Sequence, residues 1–124
     1  MRAAGGGSII NISTLAFVYG TPYAVDYAAS KGAVVGITRV IARELGRDWI
    51  RVNAVAPSAV LTDATETFFG SKSERAKEVI ANTQTLKRNL EPTDLTGTVV
   101  WLASDNSRFV TGQTIMVDGG TVFL

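Results

Sequence analysis

A tyrosine and a lysine four residues apart, Tyr27 and Lys31, are the pair in this sequence best suited to moving a proton. On a helix that spacing brings two side chains to one face, about 6 Å apart along the axis. An ammonium about 5 Å from a phenol favours the phenolate by about 3 kcal/mol at an effective dielectric of about 20. Such a bias suits general acid and base work near neutrality. Two polar residues on the wet side of a helix would show the same spacing, so the pair alone leaves both readings open. The rest of the composition narrows them. The chain has no histidine and no cysteine, which removes Ser-His-Asp hydrolysis, thiol nucleophiles, disulfides and the usual zinc sites. Proton chemistry here must use Tyr, Lys, Asp or Glu.

Two further stretches carry hydroxyls where a ligand could meet them. "NIST" (Asn11 to Thr14) closes an apolar run with Ser13 and Thr14, and "VNAVAPSAVLT" (Val52 to Thr62) passes from an apolar run through Pro57 into a polar turn. Ligands of open α/β sheets gather at the carboxyl ends of strands. Plain loop entry at Ser13 and Thr14, and plain strand termination at Pro57, are the simpler alternatives.

The elements that must position these residues follow from pattern. "GSIINIS" (Gly7 to Ser13) is continuously apolar and reads as a buried parallel strand. Thr21-Pro22 has the form of a helix N-cap with proline at the first position, and the helix is expected to run to Leu45 with Gly46 as its stop. Val34, Ile37, Ile41 and Leu45 mark its apolar stripe. "WIRVNAVAP" (Trp49 to Pro57) is a second strand, so strand, helix and strand form a βαβ unit with a right-handed crossover. Ser58 to Ser73 reads as a long polar loop around Phe68-Phe69. Helices follow over Glu74 to Thr83 and from Pro92-Thr93-Asp94 to about Ser104, and "GQTIMVDGG" (Gly112 to Gly120) supplies a third strand. Three strands are few for an open α/β sheet, so the apolar edge of the first one predicts a pairing partner outside these residues.

One domain at most fits 124 residues, and a hydrophobic fraction of 46% against 19% charged suits a packed core rather than disorder. The 12 basic and 11 acidic residues are scattered, which gives no support to a nucleic-acid or anionic-membrane surface. No apolar run approaches the roughly 20 residues of a membrane span, and no signal-peptide core is present. A soluble cytoplasmic protein is the expectation.

Taken in order, "GSIINIST", "YAASKGAVVGITR", "IRVNAVAPSAVLT" and "SRFVTGQTIMVDGG" resemble the short-chain dehydrogenase/reductase family, specifically its C-terminal half, and cover essentially the whole chain. The resemblance implies an α/β fold: the C-terminal half of a Rossmann-like doubly wound parallel sheet, with residues 1–124 forming a single partial domain. It implies NAD or NADP as cofactor, no metal, and a small-molecule carbonyl or alcohol as substrate. Tyr27 takes the place of the catalytic acid/base, and Lys31 that of the residue which binds the nicotinamide ribose and favours the phenolate. Thr14 stands where the family usually has its substrate-orienting serine; it keeps the hydroxyl but adds a methyl and stiffens χ1. Ser13, its neighbour on a strand, should face the other way.

Pro57-Ser58 replaces the family's Pro-Gly, which predicts a loss of backbone freedom at 58. Val60 and Thr62 match positions that contact the nicotinamide carboxamide and the adjacent phosphate. Leu15, Tyr19, Tyr23, Phe68 and Phe69 would wall a hydrophobic substrate such as an aryl ketone or a 3-oxoacyl group. The family's Gly-rich phosphate turn, its "NNAG" and its further asparagine have no counterpart here, and Gly5 to Gly7 precede a strand instead of following one. Small residues at Ala28, Ala29, Gly32, Ala33 and Gly36 predict a close helix contact in a homo-oligomer. Two other readings stand beside this one: a truncated, catalytically inactive relative acting through association with another subunit, and a sugar-nucleotide epimerase or dehydratase, which the short tail after "VTGQTIMVDGG" argues against.

Overall fold

The strand β2 (Ile50–Pro57) is the centre of the molecule, and every residue in it except Arg51 is buried. Its small buried residues Val52, Ala54, Val55 and Ala56 let helices approach both faces, as a strand without a wet side requires. In the computed structural model, which describes residues 1–123 apart from the side chain of Phe68, β1 (Gly7–Ile12) and β3 (Thr114–Val117) pair with β2 on either side. All three strands are parallel, in the order β1-β2-β3. Ile12 lies opposite Val55 and Pro57 opposite Val117, so the strands share one carboxyl end.

The helix α2 (Val25–Leu45) connects β1 to β2. The helices α3 (Asp63–Phe69), α4 (Ser73–Thr83) and α5 (Pro92–Ala103) lie between β2 and β3. Asn11 Nδ2 donates to Thr38 Oγ1 of α2 at 2.9 Å, whereas Ser8 Oγ donates to the Leu102 carbonyl of α5 at 2.8 Å. Residues three apart on a strand face opposite sides, so α2 covers one face of the sheet and α5 the other. Val52, Ala54, Val35, Thr38 and Ala42 close the first layer, and Leu102 is fully buried in the second.

Several sequence expectations need correction. The long helix starts at Val25, not at Thr21-Pro22, because Tyr23 takes a left-handed φ of 61° that no helix can include. As expected, α2 ends at Leu45 and its C-cap is Gly46. That glycine stays right-handed at φ −58° and leads into a short 3-10 turn that ends at Trp49, φ 56°. The buried stripe of α2 is Val35, Thr38 and Ala42, while Ile37 is half exposed. Thr38 is tolerated inside because its hydroxyl donates to the Val34 carbonyl at 2.8 Å while accepting from Asn11. The stretch Ser58 to Ser73 is no loop: Thr62 caps α3 through a hydroxyl that accepts from Thr65 N at 3.3 Å. Lys77 then clamps α3 to α4, reaching Glu66 at 2.7 Å and Glu74 at 2.9 Å. The first strand lies at a sheet edge with none of its residues buried.

The start of α5 depends on a charge cluster. Asp94 accepts from Glu91 N at 2.9 Å in a capping box and takes both ends of the Arg88 guanidinium, at 2.6 and 2.7 Å. The Arg88 hydrogen bonds come first among the causes that pull the Asp94 carboxyl down to about 2 from 3.8. A carboxylate with a depressed folded pKa contributes stability that is complete above its unfolded value and is lost as pH falls through its folded one. Asp94→Asn is therefore expected to lower the melting temperature at neutral pH and to flatten the acid limb between about pH 4 and pH 2. A series of thermal melts across that range checks it; an acid limb as steep as that of the wild type would show that Asp94 adds nothing.

Candidate functional site

The carboxyl end of the sheet gathers the residues with chemical potential. Tyr27 and Lys31 sit on the first two turns of α2, and the lysine Nζ lies 6.0 Å from the centre of the tyrosine ring. Lys31 Nζ donates to the Ile12 carbonyl, the last of β1, at 3.1 Å. One of its three protons is thus spent on the strand end and two remain for a ligand. Tyr27 is about half exposed, at 47%. The helix is held in register by Ser13, whose Oγ donates to the Lys31 carbonyl at 2.9 Å. Lys31 therefore meets the end of β1 twice, through its side chain and through its backbone.

Thr14 is buried and turns to different partners from Ser13. Its hydroxyl accepts from Ala16 N at 3.3 Å and lies 3.5 Å from the Pro57 carbonyl. The neighbouring Leu15 N donates to that same carbonyl at 2.9 Å. Thr14 and Pro57, taken from two distant stretches of sequence, are thus one locus where β1 and β2 end.

Ser58 is buried and has no need of glycine's freedom. Among the described non-glycine residues only Tyr23 and Trp49 have positive φ, so the expected backbone penalty at 58 does not arise. Its N–H donates to Val117 O at 3.1 Å and its Oγ to Gln84 Oε1 at 2.7 Å. Val60 and Leu61 are half-buried, with Val60 O accepting from Thr65 Oγ1 at 2.6 Å. Thr62 sits beside them with its hydroxyl engaged at the start of α3, 2.9 Å from Thr65 Oγ1.

The proposed substrate-wall residues are spread wider. Leu15 is half-buried at the start of α1 (Ala16–Tyr19), which packs on α2. Tyr19 is half exposed, and Tyr23 projects wholly into solvent from the turn before α2. Phe69 is half-buried in α3, which packs on α4, and the side chain of Phe68 lies outside the described residues.

Sequence reading missed three residues that hold this end together. Gln84 is buried beneath Ser58, and nothing in "NTQTL" marks it. Asn53 is fully buried in β2, donating to Val110 O at 2.9 Å and accepting from Gln113 N at 3.0 Å. It did carry a signal, since a lone amide inside an apolar strand must find partners there. Asp118 bends the glycine turn after β3 by accepting from Gly120 N at 3.0 Å and Val122 N at 2.9 Å.

Comparison with known proteins bears on this arrangement. A family model described as enoyl-(acyl carrier protein) reductase matches residues 1–122. The chain is 43% identical over 116 residues to a 3-oxoacyl-[acyl-carrier-protein] reductase FabG of Thermotoga maritima, covering 94% of this chain and 46% of that protein. It is 43% identical over 119 residues to a 3alpha-hydroxysteroid dehydrogenase of Mediterraneibacter gnavus, covering 96% and 46%. Among solved structures, a short-chain type dehydrogenase/reductase from Mycobacterium ulcerans superposes with a TM-score of 0.88 at 35% identity, over 98% of this chain and 43% of that one. The chain spans about half the length of the curated relatives it matches.

Proposed function

The chain belongs to the short-chain dehydrogenase/reductase family, with the three parallel strands and flanking helices of a Rossmann-like sheet, and on that premise we propose that it serves an NAD(P)-dependent oxidoreductase as the part that carries the catalytic and substrate-binding residues. The reaction is the interconversion of a carbonyl and a secondary alcohol. The observation that carries this reading is the pairing of Tyr27 with Lys31 at the carboxyl end of β1, with the Thr14 hydroxyl at the neighbouring strand end.

The donor set fits the nicotinamide end of the cofactor. Two free protons on the Lys31 ammonium suit the vicinal hydroxyls of a ribose, and the backbone of Val60 with the Thr62 hydroxyl suits a carboxamide and a phosphate. When bound, the nicotinamide supplies or removes the hydride. The residues of this chain do the remainder. Tyr27 gives its phenolic proton to the carbonyl oxygen in reduction and takes it from the alcohol in oxidation. Lys31 holds the ribose beside the phenol through its ammonium, and Thr14 orients the oxygen.

The names of the relatives make a 3-oxoacyl thioester the first substrate to try, with 3-oxosteroids next, and the aromatic side chains of the sequence add aryl ketones. Leu15 and Tyr19, at the two ends of the short helix α1 that packs on α2, are consistent with all three. We also propose that the chain self-associates through α2. Ala29, Ala33 and Gly36 are exposed along it next to the half-exposed Ile37 and Val40, and a Cβ added at Gly36 would meet open space.

Consumption of NADH or NADPH by the purified chain with these carbonyl compounds tests the reading. Turnover with one of them is expected, and none with any would remove it. A second reading rests on the exposed small residues of α2: a member of the family that binds no cofactor and acts by association with another subunit.

A further inference from the structure

The turn assigned above to the cofactor is held from behind by a side chain distant in sequence. Gln84 is 2% exposed, at the end of α4. Its Oε1 accepts from Ser58 Oγ at 2.7 Å, and its Nε2 donates to the Arg88 carbonyl, so both ends of the amide are used. The segment that Gln84 begins then follows the turn. Leu86 N donates to Gly119 O at 2.9 Å, Leu61 N donates to Leu90 O at 3.0 Å, and Val60 bridges Leu90 in parallel.

Room for the amide is made by Gly119. That residue has φ 62°, and a Cβ there would stand 3.2 Å from the Gln84 amide carbon. Beyond Gln84 the segment is fastened by Arg88 to Asp94 at the head of α5. A group resting on the backbone at Val60 to Thr62 would thus press on a turn whose other side is stitched to β3, to α5 and to Gln84.

We propose that Gln84 is a positioning residue for the turn Ser58 to Thr62, acting through the Ser58 hydroxyl; this rests on reading that turn as the cofactor contact. Serine at 58 and glutamine at 84 are one device. Without the serine hydroxyl, Gln84 Oε1 is buried with no donor. Without the glutamine amide, Ser58 Oγ and the Arg88 carbonyl lose their partners. A buried polar group left unpaired costs more than the hydrogen bond contributed, so the turn loosens when either member is removed and gains little further freedom when both are.

Hydrogen exchange on the wild-type chain, on Gln84→Met, on Ser58→Ala and on the double variant tests this. The amides of Ser58 and Leu61 are expected to exchange about tenfold faster in each single variant and no faster again in the double one. The amides of Val52 to Ala56 should keep their wild-type rates. Unchanged exchange at Ser58 and Leu61, equal acceleration along all of β2, or additive effects in the double variant would overturn the proposal. Should Gln84→Met fail to fold, Ser58→Ala carries the same expectation.

Calorimetric titration with NADH and NADPH adds a readout that a purely structural role would not move. Their dissociation constants are expected to rise about tenfold in both single variants, and unchanged constants would overturn the positioning role. A wild-type chain that binds neither nucleotide would remove the function proposed above, and the exchange rates would then decide the role of Gln84.

Discussion

Tyr27→Phe is expected to lower carbonyl reduction by about 10²- to 10⁴-fold, the usual contribution of a positioned acid or base. The dissociation constant for NADH or NADPH should stay near its wild-type value. The substitution removes one oxygen and leaves the ring over which Lys31 Nζ stands, 6.0 Å from the ring centre. The contacts that place Lys31 are made by Ile12 O and by Ser13 Oγ, and neither involves the phenol. Because Tyr27 is half exposed, the fold should not notice the loss. With no histidine or cysteine in the chain, no obvious neighbour can take over the proton. A variant that keeps turnover within a factor of two or so would dismiss Tyr27 from the role.

The second large effect concerns stability. Asn53→Ala deletes an amide that is fully buried and serves both a carbonyl and an N–H, those of Val110 and Gln113. Each orphaned group costs about 1–3 kcal/mol, so the variant, with two of them, should lose about 2–6 kcal/mol. That is a large part of the 5–15 kcal/mol typical of a whole domain. The entry to β3 depends on the contact, since Gln113 immediately precedes that strand and its carbonyl accepts from Ala54 N at 2.8 Å. A fall in melting temperature of about 10 °C or more is expected. Asn53→Asp should be no better: it keeps an acceptor for Gln113 but turns a second oxygen toward the Val110 carbonyl. A midpoint unchanged in both variants would show that the amide is dispensable.

The strands were legible because β2 needs apolar residues on both faces and its sequence supplies them without alternation. The entry of α5 was legible from Glu91-Pro92 and Asp94, a local signal that the structure uses as a capping box. The pairing of Tyr27 with Lys31 was readable from helix geometry alone, and the pair lies on one turn of α2 as that geometry requires. What escaped was decided by tertiary contact. Tyr23 adopts a left-handed conformation that no propensity announces, and so displaced the start of α2. The stretch after Ser58 looked like a loop because threonines dominate it, yet one of them, Thr62, is a cap that starts a helix. At Ser58 the family comparison suggested a backbone penalty. The structure shows instead a side chain with a partner, and that partner, Gln84, lies 26 positions away in sequence.

The most direct test of the central claim is calorimetric titration of the wild-type chain with NADH and with NADPH. The account predicts saturable heat with at least one of them, and loss of that heat when Lys31 is replaced by methionine. No heat with either nucleotide would contradict it and favour a family member that acts only through association.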